Sequence, residues 1–127
     1  MIGPSTQNSQ KNPRILLVED EALIAIDIAE ILTSHGFEVV GPCSSVSQAL
    51  AHLETTDCDA AILDTNLRNK SASTVATALA QREIPFIVVT GHSRAQLPTE
   101  LASVPVLAKP VETENLISEV RRLLVLR

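Results

Sequence analysis

The sequence predicts an α/β domain in which helices cover both faces of a five-stranded parallel sheet. Short apolar segments of strand length alternate five times with segments that carry apolar residues at helical spacing. The strand segments are continuous apolar runs, which is typical of strands buried on both faces. Strands joined by helical crossovers form a parallel sheet between two helical layers. With 127 residues, 45% of them hydrophobic, the chain fits one such domain.

The first unit is a strand followed by a helix. From Arg14 the chain reads RILLV before a run of acids, and residues 22–35 then carry isoleucine and leucine at helical spacing. Gly36 follows as the expected C-cap, because glycine readily adopts the left-handed conformation that ends many helices. A buried strand and then an amphipathic helix is therefore the repeating unit.

The second and third units follow the same plan. Residues 37–41 are expected to form the second strand, and the next helix begins at Ser45 or Ser47, either of which can be its N-cap. Residues 59–64, DAAILD, form a third apolar strand that ends in a carboxylate. The polar loop TNLRNKSA then separates this strand from an alanine-rich helix that ends near Glu83.

The last two units contain one weak helix. Residues 85–91, PFIVVTG, predict the fourth strand, and the helix expected near 94–103 is weak because Pro98 must interrupt or begin it. Residues 104–110, VPVLAKP, predict the fifth strand. A terminal amphipathic helix is indicated by Leu116, Ile117, Val120, Leu123 and Leu124.

Composition and charge narrow the functional classes. Residues 1–13 are polar and are expected to form a flexible tail, which leaves 14–127 as the folded domain. The net charge of -5, with lysine and arginine scattered, argues against binding to nucleic acid or to an anionic membrane. Because no apolar run approaches the length of a membrane span, a cytoplasmic protein is expected. Cys43 and Cys58 match no metal-ligand spacing and are predicted to be free thiols.

The carboxyl ends of the predicted strands carry three acids, a threonine and a lysine. Clefts of parallel sheets lie beyond these strand ends, so the residues should lie close together. Packed carboxylates repel one another unless a cation lies among them, and an all-oxygen cluster suits Mg²⁺. The sequence therefore predicts a magnesium site. The residues at the strand ends are Glu19, Asp20, Asp64, Thr90 with Gly91, and Lys109 with Pro110.

Four motifs in this order, ILLVED, ILDTNL, VVTG and LAKP, resemble those of the receiver domain of bacterial response regulators, and the resemblance extends over residues 14–127. It implies a flavodoxin-like, doubly wound sheet with strand order 2-1-3-4-5. By the same resemblance Asp64 is the phosphoacceptor. Glu19 and Asp20 are the acidic pair that holds Mg²⁺ with it. The backbone carbonyl of Asn66 completes the metal site.

Thr90 and Lys109 match the family's switch hydroxyl and phosphate-contacting lysine. The metal and the lysine are needed because the carboxylate nucleophile and the phosphoryl donor are both anionic. After transfer, the Thr90 hydroxyl and the backbone N–H of Gly91 or a neighbour would donate hydrogen bonds to the phosphoryl group. The peptide bond between Lys109 and Pro110 is a candidate for the cis form.

Three further positions bear on phosphoryl lifetime and output. Asn66 and His92 stand where the family's hydrolytic water approaches, so either should tune the dephosphorylation rate, although His92 can equally be an ordinary exposed loop residue. Val106 stands where most receivers have an aromatic switch residue on the fifth strand, and the fourth strand ends in Thr-Gly. The resemblance therefore favours a rearrangement of residues 91–103 as the output of phosphorylation.

The implied function is a two-component or phosphorelay switch. It would accept a phosphoryl group from a histidine kinase or a histidine phosphotransfer protein and catalyse its own phosphorylation and dephosphorylation. The domain would be a free-standing regulator, a phosphate sink, or a receiver cut from a larger kinase. Apolar residues near the chain end, Val125 and Leu126, suggest a partner or homodimer surface on the last two strand-helix units.

Three other classes fit the residues less well. A phosphohydrolase that uses an aspartyl phosphate would need a second acid where Asn66 stands. A flavodoxin-like flavin binder would need a first loop rich in glycine, serine or threonine, whereas the acids found there repel phosphate. A pseudo-receiver that serves only as an interaction module would not require a chemically competent residue at every pocket position. This chain has such a residue at each of them.

Overall fold

The structure is a computed structural model, and it describes residues 12–67, 70–91, 101 and 104–125. Within those residues, seven strands and four helices follow one another along the chain. They are β1 (Arg14–Val18), α1 (Ala22–Ser34), β2 (Glu38–Cys43), α2 (Val46–Thr55), β3 (Ala60–Asp64), β4 (Asn66–Leu67), β5 (Lys70–Ser71), α3 (Ser73–Gln81), β6 (Phe86–Thr90), β7 (Val106–Ala108) and α4 (Thr113–Val125).

Five of the strands form one parallel sheet in the order β2-β1-β3-β6-β7. Counted among themselves, these strands have the order 2-1-3-4-5, so the predicted doubly wound α/β fold is confirmed. Every residue of β3 and β6 is buried, because both strands lie inside the sheet with helices on each face. The strand order reverses between β1 and β3, and parallel sheets bind ligands beyond the strand ends at such a point.

Alternate residues of the strands face two separate helical layers. Helices α1 and α4 cover one face of the sheet, and α2 and α3 cover the other. The first core includes Ile15, Leu17, Ile28, Leu32, Ile62, Ile87, Leu116 and Val120. The second core includes Leu16, Val18, Ala49, Leu53, Leu63, Val75, Leu79 and Val88. Burial on both faces fixes β1 and β3 firmly, and with them the acids at their ends.

The second strand is longer than predicted. It continues past Gly41 and through Pro42 to Cys43, because β2 is an edge strand whose outer side needs no backbone donor at the proline. Leu16 pairs with Val40 and Val18 pairs with Cys43, so β2 carries one residue more than β1 in this interval. This bulge lets the strand reach Glu19, whose backbone N–H donates to the Cys43 carbonyl at 2.8 Å.

Gly41 is required at this bulge, and its replacement by alanine should be strongly destabilising. Its φ is +104°, and an added Cβ would lie 2.7 Å from the Cys43 nitrogen and 3.0 Å from the Leu17 oxygen. Gly36→Ala is the matched control, because Gly36 has φ +88° but open space around it. We expect a loss of about 1 kcal/mol for Gly36→Ala and about 3 kcal/mol for Gly41→Ala in urea unfolding. Equal losses would show that the close approach at Gly41 is unimportant.

The loop after β3 contains a short hairpin that the sequence did not predict. Asn66 pairs with Ser71 and Leu67 with Lys70 in an antiparallel arrangement. Leu67 is buried in the core beneath α2 and α3, which ties the loop to the domain. Two-residue strands have no periodicity, so this segment was predicted only as a polar loop.

Other predicted boundaries differ slightly from those observed. The fifth strand is limited to Val106–Ala108. Ser45 is the N-cap of α2, because its hydroxyl oxygen accepts a hydrogen bond from the Gln48 N–H at 3.2 Å. The Lys109–Pro110 peptide bond is cis, as predicted. The helix expected near 94–103 lies outside the described residues, apart from Leu101, which is buried.

The sheet holds the N-terminal end of the described chain. Of the predicted tail, residues 1–11 lie outside the described part, and Pro13 is already tied to the sheet because its carbonyl accepts from the Glu38 N–H at 2.8 Å.

Cys43 and Cys58 are free and buried, as predicted, and burial raises the pKa of each thiol to about 11. Neutral thiols are poor nucleophiles. Within the described residues, none of the helices combines the length and apolarity that crossing a bilayer requires.

Candidate functional site

Three acids meet at the carboxyl ends of two adjacent strands. Glu19 and Asp20 come directly after β1, and Asp64 is the last residue of β3, which pairs with β1. One carboxylate oxygen of each acid lies within 4.8 Å of those of the other two. Glu19 is 2% exposed, Asp64 is 5% exposed and Asp20 is half-buried. The structure thus brings these three predicted residues together.

Glu19 lies deepest in this acidic cluster. Its Oε2 accepts a hydrogen bond from the backbone N–H of Glu21 at 3.1 Å. Its Oε1 is buried and accepts no hydrogen bond, although the ammonium of Lys109 lies 3.2 Å away. A buried carboxylate oxygen in this state can take a further ligand such as a cation.

Lys109 enters the cluster from the loop that follows β7. Its Nζ lies 3.2 Å from Glu19 Oε1, 2.9 Å from Glu21 Oε1 and 3.5 Å from Asp64 Oδ1. Burial works to lower the pKa of Lys109, but the hydrogen bond to Glu21 and the charges of Asp64 and Glu19 outweigh it, so the pKa is raised above its ordinary 10.5. Lys109 is therefore a cation at neutral pH.

Thr90 lies at the end of β6, beside the acids. It follows Val89, which pairs with Asp64 across β3 and β6. Its carbonyl accepts from the Lys109 N–H at 3.0 Å, and its hydroxyl accepts from the Thr65 hydroxyl at 3.0 Å. Both threonine side chains are buried, with Thr90 1% exposed. Residues that directly follow β3 and β7 therefore hold the side chain and backbone of Thr90 in place.

The remaining predicted site residues are less completely described. Gly91 follows Thr90 and is exposed. Asn66 begins the short strand β4, two residues after Asp64. Val106, at the start of β7, is half-buried. His92 lies outside the described residues.

Two residues of the site were missed by the sequence analysis. Glu21 was read only as part of the acidic run, and Thr65 only as a loop residue. The adjacency of Thr65 to Asp64 was a usable signal, because residues at the carboxyl end of a parallel strand lie beside the cleft beyond the strand ends. The contact of Glu21 with Lys109 had no signal in the sequence, since the two residues are 88 positions apart.

The donor set fits a small divalent cation. Among the residues that the structure describes, the three carboxylates of Glu19, Asp20 and Asp64 outnumber the ammonium of Lys109 that contacts them, so these groups together carry excess negative charge. Mg²⁺ prefers oxygen ligands and retains water, and Glu19 Oε1 is buried without a hydrogen bond. These residues would hold the ion, which would neutralise charge between the carboxylates and an incoming phosphate.

The comparison with protein families decides the class of the domain. Residues 15–121 match the family model of the response regulator receiver domain. The chain belongs to this family. Receiver domains generally bind Mg²⁺ at an acidic pocket and generally interact with histidine kinases. Membership makes this chain a receiver domain of two-component response regulators, which is consistent with a phosphoacceptor switch.

Relatives and solved structures agree with this assignment. The receiver domain is 32% identical over 122 residues to the transcriptional regulatory protein PdtaR of Mycobacterium tuberculosis; the match covers 92% of this chain and 60% of PdtaR. The solution structure of SdrG from Sphingomonas melonis Fr1 is 39% identical with a TM-score of 0.79, covering 90% of this chain and 98% of SdrG. The solution structure of the BeF3-activated conformation of SdrG from Pseudomonas melonis Fr1 is 42% identical with a TM-score of 0.76, covering 87% of this chain and 95% of that SdrG chain.

Proposed function

We propose that this receiver domain is a phosphoacceptor switch in which Asp64 accepts a phosphoryl group from a histidine kinase or a histidine phosphotransfer protein. The observation that carries the proposal is the position of the Lys109 ammonium, 3.5 Å from Asp64 Oδ1 and inside the same acidic cluster. A nucleophile, a cation and a candidate metal site thus lie within one pocket.

The proposed reaction follows from these groups. A carboxylate oxygen of Asp64 forms a bond to the phosphorus of a phosphohistidine, and the bond from phosphorus to the imidazole nitrogen breaks. The imidazole keeps the electron pair and takes a proton from solvent. Lys109 neutralises charge on the equatorial phosphoryl oxygens. Mg²⁺, when bound, would supply the rest of the charge neutralisation.

The metal ligands in this proposal are Glu19, Asp20, Asp64 and the backbone carbonyl of Asn66. Three charged oxygens from the acids suit Mg²⁺ better than a neutral site would, since the ion dehydrates reluctantly and usually keeps several waters. Phosphorylation would depend on Mg²⁺, because without the ion the anionic donor meets a cluster of carboxylates.

The switch in this proposal begins at Thr90. Its hydroxyl and the backbone N–H of Gly91 would donate hydrogen bonds to the phosphoryl group on Asp64. Val106 is not aromatic, so the change is expected to spread through residues 91–103. NMR signals of this segment should shift on addition of beryllium fluoride and Mg²⁺. Shifts confined to other parts of the domain would contradict this route.

Autodephosphorylation is expected to depend on Asn66 and His92. Both positions flank the approach of the hydrolytic water in the proposed mechanism, so substitution should change the dephosphorylation rate several-fold by altering how that water is positioned. Phosphorylation itself should persist in both variants. Phosphate release from purified phosphoprotein measures the rate, and unchanged release in both would refute the role.

The proposed function is tested by intact-mass measurement after incubation with acetyl phosphate and Mg²⁺. Wild type should gain one phosphate, and Asp64→Asn should gain none because its amide is not a competent nucleophile. A pseudo-receiver would gain no phosphate in either form. A phosphohydrolase would instead hydrolyse small phosphoesters with turnover. Measuring the free phosphate released from such esters therefore separates a phosphohydrolase from a phosphoacceptor switch.

We expect the domain to act in the cytoplasm. The match spans 60% of the length of PdtaR. The domain would act as a free-standing regulator or phosphate sink, or as the receiver of a larger kinase. Val125, 83% exposed on α4, contributes to a surface for a homodimer or another partner built from the last two strand-helix units.

A further inference from the structure

Among the described residues, Glu21 is the acid nearest to the ammonium of Lys109, although it is not one of the three clustered acids. Lys109 Nζ lies 2.9 Å from Glu21 Oε1 but 3.5 Å from Asp64 Oδ1. The Glu21 side chain is 61% exposed, whereas those of Asp64 and Glu19 are buried. The lysine is therefore held partly by an acid at the mouth of the pocket.

The position of Glu21 in the chain frees its side chain for this contact. Glu21 is the N-cap of α1, but its side chain makes no capping hydrogen bond. Glutamate is also not among the residues preferred at N-caps. Its backbone is fixed from the other side, because its N–H donates to Glu19 Oε2 at 3.1 Å. Helix capping therefore does not explain where the carboxylate points, and the ion pair with Lys109 does.

We propose that Glu21 is a positioning residue that restrains Lys109 in the unphosphorylated domain and thereby slows phosphorylation of Asp64. The inference rests on the proposed function, in which Lys109 contacts the phosphoryl oxygens. To make that contact, the ammonium must loosen its 2.9 Å interaction with Glu21. Exposed ion pairs are weak, so the restraint is a modest one that the dianionic phosphoryl group overcomes.

The contact between Glu21 and Lys109 should slow phosphorylation but favour binding of a metal ion. An ammonium drawn toward Glu21 competes less with a cation for the oxygens of Glu19 and Asp64. Removal of the Glu21 charge should let the Lys109 ammonium move closer to those two acids and should also make the pocket less negative. Glu21 therefore favours binding of Mg²⁺ while it delays the contact of Lys109 with the phosphoryl group.

The test is the Glu21→Gln variant, which keeps the length of the side chain and removes its charge. At saturating Mg²⁺, its phosphorylation by acetyl phosphate should be about two- to five-fold faster than that of wild type. Its affinity for Mg²⁺ without phosphodonor, measured by calorimetry, should be about two-fold weaker. A distorted or partly unfolded pocket would lower both quantities, so opposite changes identify positioning.

Two further variants make the result specific. Glu30→Gln removes an exposed glutamate of α1 about 13 Å farther along the helix and should change neither quantity. In a Lys109→Met background, Glu21→Gln should lose its accelerating effect, because the lysine it restrains is gone.

The outcomes separate the inference from the function on which it rests. If wild type gains no phosphate, the proposed function fails and the inference fails with it. If wild type is phosphorylated but Glu21→Gln is no faster than Glu30→Gln, only the inference fails. An acceleration that persists unchanged in the Lys109→Met background would also overturn it.

Discussion

The Lys109→Met variant is expected to lose about 3 kcal/mol of its free energy of unfolding when Mg²⁺ is absent. Methionine keeps much of the apolar stem of the lysine but removes the ammonium. Glu19 and Asp64, 2% and 5% exposed, would then share a buried pocket without the Lys109 ammonium. Breaking a buried ion pair by removing one partner is costly because the remaining charge stays desolvated.

Saturating Mg²⁺ should restore most of the stability lost in Lys109→Met. The ion replaces the missing positive charge, and a ligand that binds only the folded state stabilises it in proportion to its affinity. Urea unfolding with and without MgCl₂ measures the effect. Arg122→Met is the control, since Arg122 is an exposed partner of Glu119 at 3.6 Å and should shift stability by at most about 0.5 kcal/mol. A loss in Lys109→Met that Mg²⁺ leaves unchanged would contradict the proposed metal site.

The Asp20→Asn variant is expected to show the largest loss of metal-dependent chemistry that leaves Asp64 intact. It removes one of three clustered carboxylates while preserving shape. We expect Mg²⁺ affinity and the rate of phosphorylation by acetyl phosphate each to fall about 100-fold, because charge neutralisation at the transferring phosphoryl group is a large part of such catalysis.

Asp27→Asn provides the control for Asp20→Asn. Asp27 is an exposed acid of α1 that lines a groove beside Lys109, together with Glu21 and Pro110. Its loss changes the net charge equally but removes no member of the acidic cluster. Calorimetry and initial phosphorylation rates should therefore match wild type. Equal effects of the two substitutions would mean that general charge, and not metal ligation, governs the reaction.

The strand ends were the part of the molecule most accessible to sequence reasoning. Continuous apolar runs located β1, β3 and β6, and parallel geometry then required Glu19, Asp20 and Asp64 to converge. Lys109 was expected there for the same reason. What made these predictions possible is that a strand end is defined locally, by where an apolar run meets a polar residue.

The contacts that the sequence did not reveal depend on distances across the fold. Thr65 donates to Thr90 from 25 positions away, and Glu21 reaches Lys109 from 88 positions away. Each of these residues has several ordinary roles in a loop or at a helix end, and only the packed structure selects one. The extension of β2 past Pro42 was missed for a related reason, because a proline normally ends a strand unless the strand lies at a sheet edge.

The central claim is that Asp64 itself carries the phosphoryl group, and reductive trapping tests it directly. The domain is phosphorylated with acetyl phosphate and Mg²⁺ and then treated with borohydride, which reduces an aspartyl phosphate to homoserine. Peptide mass mapping should find homoserine at position 64 and nowhere else. Unmodified Asp64 in a sample that has gained a phosphate, or homoserine at Asp20, would contradict the account.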